Sequence, residues 1–197
     1  PVKIFGSYDE NFTIQDIKTH PTVIQPDNES ARSTRKAIMK FTKDVAGTIL
    51  DHLVFEGGQR NAYHAKDGIV TGIEGGRLLP STEKPAVGYS TVDEPLLQFV
   101  SATTGGDVTI QNCAFINGAS FALQAGHRSG KFTVKNNVFV GNKMAAIEIF
   151  GTCASTGGPN TLSLCGEVEI ANNTILFTWS RLKDFLDMGY GVRVMTK

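Results

Sequence analysis

The chain has 197 residues, which fits one domain, and its 41% hydrophobic content is sufficient for a core and too high for a disordered chain. The 19 basic and 19 acidic residues give a net charge of zero, so electrostatics favour neither nucleic acid nor an anionic membrane as a partner. No apolar run reaches the ~18 residues of a transmembrane segment.

The chain begins with strand-like segments. Residues 1–6, 21–25 and 37–41 each predict a short strand, and a charged turn region at residues 26–35 separates the second from the third. There is no initiator Met and no signal peptide, and the terminal segments PVKIF and GVRVMTK both have strand character. We therefore expect the sequence to be a mature or trimmed piece of a longer chain.

The central part of the chain is an internal repeat. Residues 107–150 can be written as two gapless copies of one 24-residue unit, VTIQNCAFINGASFALQAG over FTVKNNVFVGNKMAAIEIF. Val108 aligns with Phe132, and Phe115 aligns with Phe139. A repeat of this period indicates stacked supersecondary units.

Two further segments align with this unit, GTILDHLVF at residues 47–55 and VEIANNTI at residues 168–175. Each of the four units contains a strand of period two, a two-residue corner and a second short strand. Asn tolerates a bent backbone, and stacked Asn side chains hydrogen-bond to one another, so we expect an Asn ladder along the corners. The corners are His52-Leu53, Asn112-Cys113, Asn136-Asn137 and Asn172-Asn173.

A third strand completes each unit. Residues 37–41 supply the first of these strands, and Val192 and Val194 mark the last. For the strands between them we align Leu97, Phe99 and Ser101 with Phe121, Leu123 and Ala125, and these with Ala145, Ile147 and Ile149.

Irregular spacing elsewhere predicts insertions at residues 56–95, 151–167 and 177–190. The last insertion carries apolar residues at helical spacing and predicts one short helix. The first is long, has no strong periodicity and lacks the GxxxxGK[ST] phosphate-loop motif. We interpret it as a cleft wall or as a docking site for a partner.

Three Cys residues are present. Cys153 and Cys165 bracket a small polar loop and are candidates for a disulfide, which would indicate an oxidising compartment; two free thiols are the alternative. Their spacing is unlike that of a zinc site. Cys113 lies at an inward position of the repeat, so we expect a small buried hydrophobe there.

Three short strands per unit, inward Val, Ile and Phe residues and Asn-rich corners predict an all-β fold, a right-handed parallel β-helix (solenoid) of about five coils. We expect a single domain over residues 1–197, with residues 56–95 as a loop insertion. A β-sandwich of antiparallel strands is the alternative, and the gapless recurrence argues against it. Open coil ends leave edge strands unpaired, so we expect further coils or a stacking partner there.

The segments VTIQNCAFING and FTVKNNVFVGN resemble coils of the pectate-lyase-like superfamily of β-helix proteins. The resemblance runs from about residue 37 to the C-terminus, and VKIFGSYDENF resembles, more loosely, the opening coil of bacterial secreted β-helix proteins. It implies a secreted, periplasmic or cell-surface protein. The superfamily contains lyases, hydrolases, adhesins and structural proteins, so the fold does not fix the function.

In active members of this superfamily, substrate lies along the outer face of the sheet formed by the third strands. The alternation in this chain predicts an outward row of Lys40, Val100, Gln124, Glu148 and Arg193, with ~4.8 Å between strands. The candidate catalytic residues are the charged members, Glu148, Arg193 and Lys40. The candidate substrate-binding residues are Gln124 and four residues of neighbouring loops, His127, Arg128, His64 and Tyr63.

The row lacks a complete catalytic set. A β-helix lyase needs a base and a calcium ion, and calcium requires several carboxylates, of which the row offers only Glu148. A glycoside hydrolase needs two close carboxylates, which the row also lacks. We therefore predict no cofactor, with calcium expected only if the protein is a lyase. The missing groups would then lie outside the row, for example at Asp67, Glu74 or Glu83.

Two functions follow from these residues. The first is a secreted or cell-surface module that binds or scaffolds without catalysis, in contact with a polysaccharide or a protein partner. The second is a polysaccharide lyase or related carbohydrate-active enzyme that acts on an acidic glycan. In the structural alternative to both, Glu148 and Arg193 form an ordinary surface ion pair of small energetic value.

Overall fold

A computed structural model describes residues 1–25, 37–43, 45–57, 62–63, 70–71, 95–100, 106–118, 120–127, 129–150, 166–178 and 189–195. These residues form 17 strands and no helix. All but two of the strands belong to three parallel sheets of five strands each. The chain visits the three sheets in a repeating order, which makes the molecule a parallel β-solenoid.

The strands are numbered β1 to β17 in chain order. The first sheet contains β1 (Lys3–Phe5), β4 (Thr48–Asp51), β9 (Val108–Gln111), β12 (Lys131–Lys135) and β15 (Glu167–Ala171). The second sheet contains β2 (Thr22–Ile24), β5 (Leu53–Glu56), β10 (Ala114–Ile116), β13 (Val138–Val140) and β16 (Thr174–Leu176). The third sheet contains β3 (Met39–Phe41), β8 (Leu97–Phe99), β11 (Phe121–Gly126), β14 (Ala145–Phe150) and β17 (Tyr190–Met195). The parallel pairing excludes the β-sandwich of antiparallel strands.

The two central copies of the repeat lie directly on one another in all three sheets. The hydrogen-bonding register follows the predicted gapless alignment, which is therefore confirmed. The paired residues include Val108 with Phe132, Phe115 with Phe139 and Leu123 with Ile147.

The predicted alignment of β8, the strand after the long insertion, is wrong by two residues. Leu97, rather than Phe99, pairs with Leu123. A slip of two residues leaves every side chain on the same face of the sheet, so the hydrophobic pattern is compatible with both registers. As a consequence, the outward row contains Gln98 in place of Val100.

Aromatic rings stack along the axis of the core. Phe55, Phe115 and Phe139 form one column, with centroid distances of 5.0 and 4.7 Å between successive rings. All three are fully buried, and burial of one Phe side chain contributes about 1.5–3 kcal/mol. Phe41 and Phe99 stack in the same way at 4.6 Å. Much of the aromatic part of the core is thus built by repetition of one stacking contact.

The corner between the first and second sheets carries an Asn ladder. The side-chain amide of Asn137 donates to the carbonyl of Ile110 at 3.1 Å and to Asn173 Oδ1 at 3.0 Å. Asn137 Oδ1 accepts the backbone N–H of Cys113 at 2.9 Å. The predicted Asn-to-Asn ladder is therefore confirmed between Asn137 and Asn173, whereas toward the preceding corner Asn137 bonds to backbone groups. The preceding corner residues have a left-handed backbone, which Asn tolerates better than most residues, with φ of 55° for His52, 52° for Asn112, 56° for Asn136 and 54° for Asn172.

The expectation for Cys113 is confirmed: it is a free thiol, 1% exposed, and burial raises its pKa to about 12. Two other predictions, the short helix in the last insertion and the pairing of Cys153 with Cys165, lie outside the described residues. Within the long insertion, β6 (Ala62–Tyr63) pairs with β7 (Val70–Thr71) in antiparallel fashion. In the part of the chain that the structure describes, no helix is long and apolar enough to cross a membrane.

Candidate functional site

A polar row crosses the outer face of the third sheet. Alternation along each strand turns the large apolar side chains inward and the residue between them outward. Parallel pairing then brings the outward residues of successive strands into line. We call this line the polar row; it consists of Lys40 on β3, Gln98 on β8, Gln124 on β11, Glu148 on β14 and Arg193 on β17.

Side-chain hydrogen bonds link the polar row from strand to strand. The amide nitrogen of Gln98 donates to the amide oxygen of Gln124 at 2.8 Å. The amide nitrogen of Gln124 donates to Glu148 Oε2 at 2.6 Å. The other oxygen of Glu148, Oε1, lies 3.4 Å from Arg193 Nη1. The row is therefore one connected chain of polar contacts over four strands.

Glu148 is shielded from solvent although it lies on the outer face. Its side chain is 3% exposed, against 33% for that of Arg193. Both carboxylate oxygens are engaged, one by Gln124 and the other by Arg193. Removal of either partner would leave a shielded carboxylate with too few contacts, which costs more than the loss of an exposed pair. The Glu148–Arg193 pair is therefore not an ordinary surface ion pair.

The two ends of the polar row are cationic. The guanidinium carbon of Arg193 lies 5.6 Å from the centroid of the Tyr190 ring, within the range of a cation–π contact. Lys40 is exposed at the other end, opposite Gln98 in the register of the sheet. A ligand that lies along the row therefore meets two amides between two positively charged side chains.

The structure places His127 away from the accessible surface. It is fully buried, its Nε2 lies 2.9 Å from the carbonyl oxygen of Gly130, and its ring packs edge-on against Phe132 at 5.3 Å. A contact between this ring and a ligand would require the turn to open. Of the other predicted binding residues, Arg128 and His64 lie outside the described residues, and of Tyr63 the structure describes only its place on β6.

A second polar cluster lies at the corner after β4, where the sequence analysis gives His52 only a structural role. His52 Nδ1 lies 2.5 Å from Asp51 Oδ1. The side-chain amides of Gln111 and Asn112 donate to the same carboxylate, each at 2.9 Å. The sequence carried a signal for this cluster, because residues 51–52 read Asp-His where the aligned residues of the later units read Gln-Asn, Lys-Asn and Ala-Asn. Asp51 therefore joins two neighbouring turns of the solenoid.

Lys143 was also missed by pattern reasoning. It lies in the turn before β14 and is 3% exposed. Burial lowers the pKa of its ammonium group to about 7, because the charged form loses its hydration. Charged residues in turns are normally solvated, and the sequence contains no local feature that separates this lysine from an exposed one.

The polar row can form hydrogen bonds but lacks the groups for metal-assisted or two-carboxylate chemistry. Among the described residues, no group of three or more His, Cys, Asp and Glu side chains is placed to hold a metal ion. The row contains one carboxylate, Glu148, and its oxygens are already engaged. What it offers to a ligand are the amides of Gln98 and Gln124 and the cations of Arg193 and Lys40.

Comparison of the chain with protein-family models, with curated proteins and with solved structures finds no match.

Proposed function

We propose that this protein is a secreted or cell-surface β-helix module that binds a polysaccharide along the outer face of the third sheet and performs no chemistry on it. The supporting observation is the connected polar row from Gln98 to Arg193. Amide and guanidinium groups exchange hydrogen bonds readily with hydroxyl groups. One outward position per strand, at ~4.8 Å spacing, suits a ligand that is itself a repeating chain.

Binding is favoured over catalysis by the state of Glu148. A general base must reach the proton that it removes, within hydrogen-bond distance. Glu148 is shielded, and both of its oxygens are held by neighbours on adjacent strands. The competing proposal is a lyase for an acidic glycan, in which Arg193 or Lys40 takes the role of the base.

We further propose that the solenoid is right-handed, has about five coils and belongs with the pectate-lyase-like β-helices. Crossover connections between parallel strands are right-handed in nearly all proteins. The inward Phe column and the Asn ladder add support, because both recur from turn to turn. The same resemblance supports a secreted, periplasmic or cell-surface location.

Glycan binding is tested by screening the protein against immobilised polysaccharides and then measuring affinity by calorimetry. We expect Gln124→Leu and Arg193→Ala each to weaken binding about tenfold or more. Each substitution leaves a polar group of the bound glycan without its partner, which costs about 1–3 kcal/mol. Lys135→Ala, on the outer face of the first sheet, is the matched control and should leave affinity unchanged.

Two results would contradict the proposal. Absence of binding to any member of a broad polysaccharide panel would remove the proposed function. Release of unsaturated products from an acidic glycan, seen by their ultraviolet absorbance and abolished by Arg193→Ala, would replace the scaffold with a lyase.

A further inference from the structure

Glu148 sets the direction of the hydrogen bonds in the polar row. An ionised carboxylate only accepts hydrogen bonds, whereas a Gln amide can turn either its NH2 group or its oxygen toward a neighbour. Gln124 must therefore direct its NH2 group to Glu148 and its oxygen to Gln98. Gln98 in turn must direct its NH2 group to Gln124, which turns its own oxygen away from Glu148.

The oxygen of Gln98 is the open end of this relay. It is buried and has no hydrogen-bond partner. A shielded acceptor without a donor costs about 1–3 kcal/mol. A ligand that donates a hydrogen bond to this oxygen therefore removes that cost. Lys40 lies opposite Gln98 in the register but does not fill this position. Access of a ligand donor to this oxygen requires the half-buried Gln98 side chain to shift while its NH2 group stays on Gln124.

We propose that the polar row selects a glycan unit that presents an uncharged hydroxyl group to Gln98, and that it disfavours a uronate carboxylate at that position. The proposal rests on the glycan-binding function. A hydroxyl group donates a proton to the Gln98 oxygen, whereas a carboxylate at neutral pH has none and brings oxygen against oxygen. Glu148 is a positioning residue here, because it acts on the ligand through Gln124 and Gln98.

The charged side chains of the polar row contribute less to this selection than the direction of its hydrogen bonds. Arg193 is already paired with Glu148, so a carboxylate that binds to Arg193 must compete with an existing partner. Within the polar row, Lys40 alone favours an anionic ligand, and its exposure allows water and salt to screen that attraction.

Matched oligosaccharide pairs test the selection directly. Cello-oligosaccharides and their C6-oxidised glucuronate forms share one linkage, as do oligogalacturonates and their carboxyl-reduced forms. We expect calorimetry to show at least tenfold tighter binding of the neutral member of a pair. In Glu148→Gln, the side chain at position 148 can donate as well as accept, so the amides of Gln98 and Gln124 can each exchange the positions of their NH2 group and oxygen. We expect this substitution to reduce the preference for the neutral member below threefold. Lys135→Ala should retain it.

A measurement without ligand tests the relay itself. We expect the side-chain amide resonances of Gln98 to shift in Glu148→Gln, although the two residues lie on strands that are not adjacent. Gln124→Leu interrupts the relay by another route and should shift the same resonances. If Glu148 were needed only for packing, the Gln98 amide would keep its resonances in a folded variant.

The outcomes separate this inference from the proposed function. Equal or tighter binding of the uronate member overturns the selection and leaves glycan binding in place. Unchanged Gln98 resonances in both folded variants overturn the relay. Failure of every oligosaccharide to bind overturns the proposed function and this inference together.

Discussion

Asn137 is needed at its corner of the solenoid, although other residue types occupy the equivalent corners of earlier turns. Leu53 and Cys113 occupy the same corner position in earlier units, so the corner itself does not require Asn. What requires it is the backbone nearby: Asn137 satisfies the N–H of Cys113 and the carbonyl of Ile110. Without it, the buried N–H of Cys113 would lose its partner.

We expect Asn137→Leu to lower the free energy of unfolding by about 1–3 kcal/mol, since the buried N–H of Cys113 loses its partner. Urea denaturation followed by circular dichroism measures this change. Asn136→Gly, at the exposed left-handed corner residue, is the control and should alter stability by less than about 1 kcal/mol. A larger loss at position 136 than at 137 would contradict this explanation.

Lys143 makes stability depend on pH. Its folded-state pKa of about 7 lies below the unfolded value of 10.5, so between these values the unfolded chain holds a proton that the folded chain lacks. The free energy of unfolding therefore rises with pH across this window, by up to about 1.4 kcal/mol per pH unit. This gain in stability is lost again as the pH falls toward 7.

We expect the difference in free energy of unfolding between Lys143→Met and the unsubstituted protein to shift in favour of the unsubstituted protein as the pH rises from 7 to 9. Denaturation at a series of pH values measures the difference between the two proteins. Lys135→Met, at a less buried lysine, serves as the comparison. A difference for Lys143→Met that stays constant with pH would show that this amine does not titrate as described.

Among the elements, the predictable strands are those that continue the repeat without interruption. The strands β9 to β14 follow one another at a fixed spacing, so their pairing partners can be read from the sequence. For β8 only the inward face could be predicted, because the long insertion removes the spacing that would choose between two registers of equal pattern. The structure shows which of the two is adopted, with Leu97 opposite Leu123.

For the polar row, as for β8, the sequence predicted the face on which the side chains lie but not their contacts. Alternation identified Lys40, Gln124, Glu148 and Arg193 as outward neighbours, and the register confirms that they line up. The shielding of Glu148 and the open oxygen of Gln98 could not be predicted, since both depend on groups that other strands bring into contact. Sequence patterns report which face a side chain occupies and not how its polar atoms are satisfied.

At the scale of the whole molecule, the last turn of the solenoid is less well packed than the turns inside it. Val192 and Val194 on β17 are 41% and 51% exposed, whereas their partners Ile147 and Ile149 on β14 are fully buried. In a stack where each turn contacts only its neighbours, a turn with one neighbour has about half the stabilising contacts.

We expect amide hydrogen exchange to be slowest in β9 to β14 and faster in β15 to β17, because the last turn opens at lower free energy. Exchange followed by mass spectrometry of peptic fragments measures this gradient. Equal protection along the chain would indicate that the molecule opens as one cooperative unit, or that a partner covers the last turn.

The gapless register of the two central units also has a consequence for the length of the molecule. A second copy of residues 108–131, inserted after residue 131, would meet on each side a surface that already accepts it. Its Phe115 would extend the aromatic column, and its Gln124 would add an amide to the polar row between Gln124 and Glu148. Duplication of one 24-residue segment thus lengthens the outer face of the third sheet by one strand, or ~4.8 Å, without a new core. Under the proposed function, the number of sugar units that this face can contact then grows with the number of repeats that the gene encodes.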